Sequence, residues 1–161
     1  MKTALRAVAA LAAAVVATVM LQAIAPWAQD EVDVFLLVAV FYAVSGGRMQ
    51  AVIMGALAGL TQDVFASQFL GFHAFTKTAV AYLVGGLGAR LMLGQALPQF
   101  LALALATILD GVLMAVLASM SGLPPRFQPG SMFKMALVNG FVGLLVYGVV
   151  GRGLPWSRRR R

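Results

Sequence analysis

The chain has no cysteine, one histidine and few charged residues. Its 161 residues include 12 basic and 5 acidic side chains, so that 11% are charged, whereas about a quarter are charged in soluble domains. Without cysteine the chain cannot form disulfides, Cys-ligated zinc sites or cysteine nucleophiles. A single histidine cannot build a His-rich metal site, so we predict neither a metal nor another cofactor.

Apolar residues make up most of the chain. They account for 61% of it, and the mean hydropathy is +0.92. This composition predicts an integral membrane protein. A membrane-spanning helix needs about 20 residues, so the length leaves room for about six helices and for no separate soluble domain. We therefore expect one all-α transmembrane domain, folded as a compact six-helix bundle.

Short polar breaks divide the apolar sequence into six segments. The first is longer than the apolar core of a signal peptide, which has about 7–15 residues, and Pro26 follows its small-residue cleavage motif. We therefore predict that this segment is retained as a helix. The predicted helices span residues 7–25, 33–45, 50–69, 74–90, 98–120 and 132–150, and a basic tail occupies residues 151–161.

The basic residues predict the orientation of the helices. An even number of helices brings both termini to one side of the membrane. If that side is the cytoplasm, nine of the 12 basic residues lie inside, and Arg126 and Lys134 lie in or beside an outer loop. This agrees with the positive-inside rule and predicts cytoplasmic termini. We attribute the net charge of +7 to topology and lipid contact, and we expect no nucleic acid.

Three ionisable residues, Asp63, Lys77 and Asp110, lie within the apolar segments. A charge at that depth costs at least about 2.5 kcal/mol, so such residues are normally paired, internal or functional. At a rise of about 1.5 Å per residue, all three fall in the outer half of the membrane, where a pair or a triad can form. The sequence leaves open whether Lys77 pairs with Asp63 or with Asp110. We favour an ion pair that locks the bundle over a site for a partner helix or a polar ligand, and both over a proton or ion path.

Small residues recur at helical spacing on two neighbouring segments. Gly55, Gly59 and Asp63 are four residues apart on the third predicted helix, and Gly85 and Gly88 belong to a similar face of the fourth. Such faces let two backbones approach closely. We therefore predict that the third and fourth helices form a tightly packed pair.

The sixth predicted helix carries an amide within its apolar sequence. Asn139 is followed by Gly140, so a polar group and a small packing residue are adjacent. A hydrogen bond between membrane helices is typically worth less than about 2 kcal/mol. We interpret Asn139 as a contact between helices rather than as a recognition residue.

No arrangement of residues predicts catalysis. Intramembrane proteases use paired Asp motifs, Ser–His pairs or zinc ligands, and Asp63 and Asp110 occur in no such context. We predict that the protein is not an enzyme.

Several short motifs follow one another along the chain. They are Leu21-Gln22, Pro26-Trp27, Gly55 and Gly59 before Asp63, Leu70-Gly71, Ala81-Tyr82-Leu83-Val84, Asp110 and Val138-Asn139-Gly140. Each is unspecific by itself. The ordered set, over about residues 20–150, resembles the family of bacterial rod shape-determining proteins called MreD.

This resemblance implies a multi-pass protein of the bacterial inner membrane, similar in fold to the S components of energy-coupling factor vitamin transporters. It implies a non-catalytic scaffold of the cell-elongation machinery, the elongasome, which organises peptidoglycan synthesis. The implied partners are a bitopic protein of the MreC type and, in the same assembly, MreB, RodA and a class B penicillin-binding protein. The alternative function is a small-molecule binding subunit of a vitamin transporter, of the S-component type.

Overall fold

The computed structural model describes residues 2–28, 31–66, 70–88, 96–123 and 129–151, and over these ranges the protein is all-helical. It has six α-helices there, the number that the sequence predicts. They are α1 (Lys2–Ile24), α2 (Val34–Gly46), α3 (Arg48–Ala66), α4 (Phe72–Gly88), α5 (Ala96–Met120) and α6 (Pro129–Gly151), with a 3-10 turn at Pro26–Ala28 after α1.

Local sequence signals explain where several helices begin. α2 follows Asp33, whose side chain accepts a hydrogen bond from the Leu36 N–H at 2.9 Å and so caps the helix. α6 begins at Pro129, three residues before its predicted start, because proline suits the first turn of a helix. α1 begins at Lys2, five residues before its predicted start, because Lys, Ala, Leu and Arg are good helix formers.

Four helices, α1, α2, α5 and α6, end within one residue of their predicted limits. Gly151, predicted to open the basic tail, is instead the last residue of α6. Gly47 alone joins α2 to α3, at a φ of +80° that favours glycine. The predicted helix ends at residues 67–69 and 89–90 and the rest of the tail, residues 152–161, lie outside the described residues.

Three helices in the described part of the chain are long and apolar enough to cross a membrane. The qualifying segments are Leu5–Ile24, Ala96–Met120 and Pro129–Gly148. α2 is a shorter apolar helix of 13 residues. At about 1.5 Å per residue it is shorter than the hydrocarbon core of a bilayer, which is about 30 Å thick.

The core of the protein is built around α2. Its buried residues lie on several sides of the helix, as expected for a helix enclosed by others. They are Phe35, Leu36, Leu37, Ala39, Val40 and Ala43. α1, in contrast, lies at the periphery, and only 6% of its apolar segment is buried. Its residue Ala14 packs into the core.

α3 and α4 form the closest helix pair among the described residues. A Cβ on Gly55 would lie 2.6 Å from the Lys77 carbonyl oxygen, and a Cβ on Gly59 would overlap the His73 carbonyl group. Gly85 of α4 faces Ala51 of α3 at a similar spacing. These glycines let the two backbones touch. Gly88 is the last residue of α4, and its surroundings lie outside what the structure describes.

α5 and α6 form a second close pair. A Cβ on Gly140 would lie 2.6 Å from the Phe100 ring, and Gly143 lies against Leu103. The absence of a side chain at these two positions makes room for large side chains of α5.

Candidate functional site

Lys77 is fully buried and lies between two carboxylates. Its Nζ is 2.7 Å from Asp33 Oδ2 and 3.4 Å from Asp110 Oδ2. The lysine comes from α4, Asp110 comes from α5, and Asp33 is the N-cap of α2. One ammonium group therefore connects three elements that are distant in sequence.

Lys77, Asp33 and Asp110 form a triad. From the sequence we considered Asp63, not Asp33, as its third member. The sequence left the partner of Lys77 open between Asp63 and Asp110, and the structure pairs it with Asp110 and Asp33. Asp33 was missed because it stands in the acidic segment before α2, together with Glu31. One signal could have found it: Asp33 is an acidic cap at the start of α2, and Lys77 lies near the start of α4.

Asp63 has a different role, as the cap of α4. Its Oδ2 accepts hydrogen bonds from the N–H groups of Gly71 at 2.8 Å and Ala74 at 3.1 Å, and its Oδ1 accepts one from His73 at 2.9 Å. The N–H groups of a first helical turn have no partner within the helix. Asp63 satisfies two such groups, those of His73 and Ala74, and also the N–H of Gly71 just before α4. Its negative charge suits the N-terminus of a helix. A triad of Asp63, Lys77 and Asp110 is therefore not formed.

Asn139 connects α6 to the same region. Its Oδ1 accepts a hydrogen bond from the Asp33 N–H at 3.0 Å, and its Nδ2 donates to Thr107 Oγ1 at 3.3 Å. The Thr107 hydroxyl donates in turn to the Leu103 carbonyl oxygen at 2.9 Å. Asn139 is fully buried, so its amide joins α6, α5 and the start of α2 without access to water. We call Asp33, Lys77, Thr107, Asp110 and Asn139 the polar cluster.

Three buried polar atoms at the edge of the polar cluster have no hydrogen-bond partner among the described residues. They are Gln62 Oε1, His73 Nδ1 and Asp110 Oδ1. Gln62 is connected to the cluster, because its Nε2 donates to Asp33 Oδ2 at 3.5 Å. A carboxylate or amide oxygen can only accept, and imidazole nitrogen can also accept. The set therefore has spare acceptor capacity for a hydrogen-bond donor.

The polar cluster holds its charges in a buried environment. When all three groups are ionised, Asp33, Lys77 and Asp110 carry a net charge of −1. The exposed fraction is 0% for the Lys77 side chain, 13% for Asp33 and 12% for Asp110. Removing one partner from such a pair leaves an uncompensated buried charge, so this geometry suits a lock between helices.

The described part of the chain shows no cluster of metal ligands. It contains no group of three or more His or acidic residues that could hold a metal ion. The hydroxyl of Thr107 donates to a backbone carbonyl rather than to a base. What the cluster offers chemically is charge pairing and hydrogen-bond acceptance.

A second ion pair and a cation–π contact lie away from the cluster. Lys134 of α6 pairs with Glu31, and the lysine side chain is 64% exposed. The Arg48 guanidinium lies 5.0 Å from the centre of the Tyr82 ring. The first connects α6 to the segment before α2, and the second connects the start of α3 to α4.

Comparison with known proteins identifies a family. The family model described as "rod shape-determining protein MreD" matches residues 1–150. No curated protein and no solved structure matches the chain.

Proposed function

The chain belongs to the MreD family, whose members have a role in rod shape determination, and we propose that it acts there as a non-catalytic scaffold subunit. The family match over residues 1–150 is the observation that carries this proposal. It covers all six helices almost to the end of α6.

The scaffold, on this proposal, is one domain that crosses the inner membrane six times with both termini in the cytoplasm. Three long apolar helices support spanning. The distribution of Lys and Arg supports the orientation, because the short connection at Arg48 and the basic C-terminal run would then lie inside. The tail would lie against anionic headgroups, which attract each basic residue by up to about 1 kcal/mol.

A scaffold needs a rigid body and a free surface, and the helices supply both. The polar cluster joins α2, α4, α5 and α6 through Lys77, Asp33 and Asn139. Gly55 and Gly59 hold α3 against α4. α1 is largely unpacked and offers apolar surface to a neighbouring helix.

We propose that the partner in direct contact is a bitopic protein of the MreC type. MreB, RodA and a class B penicillin-binding protein complete the assembly. This proposal rests on family membership. The single helix of a bitopic protein matches a subunit that is almost entirely helix itself.

Depletion of the protein from its native host tests the role in cell shape. We expect cells to widen and round up, and we expect re-expression of the wild-type chain to restore rods. Normal rods after complete depletion would overturn the proposal. Membrane levels of the chain, measured in parallel, make each result interpretable.

A second candidate function is the binding of a small polar ligand, in the manner of an S component. The spare acceptors Gln62 Oε1, His73 Nδ1 and Asp110 Oδ1 favour it, because a ligand with hydrogen-bond donors could satisfy them. Titration of the purified protein with vitamins tests this candidate. Tight binding of one vitamin would contradict the scaffold role and would favour a transporter subunit.

A further inference from the structure

α1, α2 and α6 enclose an apolar groove of about 580 Å³. Its wall on α1 is made of alanines, among them Ala10, Ala13 and Ala17, which share one helix face. Phe41 and Val146 belong to the opposite walls, on α2 and α6. Ala14 packs against the core and keeps α1 in position beside α2.

The groove is polar at one end. Arg6 and Tyr42 both line it, and the Arg6 guanidinium is close enough to act electrostatically on the Tyr42 hydroxyl. Arg6 is exposed, and it forms no ion pair with any described carboxylate. The Tyr147 hydroxyl, in contrast, donates to the Leu37 carbonyl oxygen at 2.8 Å. The groove thus pairs an apolar trough with a basic end.

We propose that this groove binds one anionic phospholipid, with an acyl chain along the α1 alanines and the phosphate at Arg6 and Tyr42. The proposal rests on the proposed orientation, in which Arg6 lies at the cytoplasmic leaflet. That leaflet is rich in anionic lipid, and basic pockets between membrane helices on this side bind such headgroups.

The dimensions of the groove favour a lipid over a partner helix. A helix with its side chains is about 10 Å wide, so 580 Å³ would hold roughly five residues of it. An acyl chain is a single file of methylenes and fits a narrower trough. A transmembrane helix of about 20 residues is several times larger than this volume.

The headgroup supplies the specificity. Lipid tails are as apolar as leucine, so the trough accepts the tail of any phospholipid. One basic residue near the surface attracts an anionic lipid by about 1 kcal/mol, which equals a preference of about fivefold over a zwitterionic lipid.

Native mass spectrometry of the purified full-length chain in mild detergent tests the proposal. The protein is titrated with phosphatidylglycerol and with phosphatidylcholine of the same acyl chains. We expect one tightly bound lipid and about a fivefold preference for phosphatidylglycerol. Arg6→Gln should reduce the preference to near one. Arg48→Gln, which removes the same charge outside the groove, should leave it unchanged.

Filling the trough provides a second variant. Ala13→Phe replaces an exposed alanine and should weaken the binding of both lipids. Equal binding of the two lipids to the wild type, or equal losses in Arg6→Gln and Arg48→Gln, would overturn the proposal. Displacement of the lipid by a co-purified bitopic protein would also overturn it and would assign the groove to a helix. None of these readouts depends on cell shape, so the lipid site and the scaffold role can fail separately.

Discussion

At the scale of single residues, the Lys77 ammonium group serves two buried carboxylates, Asp33 and Asp110. Replacing it by methionine leaves both carboxylates without a counter-charge. Breaking a buried ion pair typically costs about 3–5 kcal/mol, and we expect a loss of this size for Lys77→Met. Thermal unfolding of the purified protein in one detergent measures it.

Lys134→Met is the matched control for this prediction. Lys134 pairs with Glu31, but its side chain is 64% exposed, and exposed pairs contribute at most about 1 kcal/mol. The triple variant Lys77→Met with Asp33→Asn and Asp110→Asn removes the charges together, and we expect it to recover much of the loss. Equal losses of stability in Lys77→Met and Lys134→Met would contradict a stabilising role for the buried ion pairs of Lys77.

Asp63 is a residue whose effect should be local. Asp63→Ala removes both oxygens that accept the bonds from Gly71, His73 and Ala74. Loss of a helix cap typically costs about 0.5–2 kcal/mol. We expect faster hydrogen exchange at these three amides, while amides in the middle of α6 serve as the internal reference. Unchanged exchange at the start of α4 would show that Asp63 is not its cap.

The polar residues of the site differ in how easily they can be recognised in the sequence. Asp63, Lys77, Asp110 and Asn139 are recognisable because a polar residue is rare within apolar sequence. Asp33 has no such contrast, since it stands among other acidic residues. Which acid pairs with Lys77 depends on how α2 lies against α4 and α5, and the spacing along one helix carries no information on that.

At the scale of helices, the α3–α4 contact depends on Gly59. Alanine at this position would place a Cβ into the His73 carbonyl group and the Ala74 Cα, and backbone atoms cannot move aside as a flexible side chain can. Overpacking typically costs about 1–3 kcal/mol. We expect a clearly lower melting temperature for Gly59→Ala.

Gly148→Ala is the control for Gly59→Ala. It lies in α6 with nothing within 4 Å of the added Cβ, and alanine is favoured over glycine in a helix by about 0.5–1 kcal/mol. We expect an unchanged or higher melting temperature. A similar loss in both variants would mean that glycine itself, rather than close packing, is needed.

The number of helices was predictable because each apolar segment is bounded by Gly, Pro or charged residues. Their first residues were less predictable. Pro129 extends α6 toward the loop, and the first turn of α1 reaches Lys2, since helix propensity and apolar periodicity do not stop at the same residue. The small-residue spacing of Gly55 and Gly59 marks a packing face, whereas the large side chains that meet Gly140 and Gly143 belong to a distant helix.

At the scale of the whole molecule, the absence of cysteine makes the orientation directly measurable. Single cysteines at Met49, which is 74% exposed, and at Ser121 mark opposite sides of the proposed membrane. We expect a membrane-impermeant maleimide to label Ser121→Cys in intact cells and Met49→Cys after lysis. The reverse pattern would contradict the positive-inside orientation and would move Arg6 to the outer leaflet.

Binding of a bitopic partner is the defining property of the scaffold subunit that we propose for this member of the MreD family. Affinity purification of the full chain from native membranes in mild detergent, followed by mass spectrometry, tests it most directly. The scaffold proposal predicts recovery of a bitopic protein of the MreC type in amounts comparable to the chain itself. Recovery of an ATPase module, with no bitopic partner, would contradict it and would favour a transporter subunit.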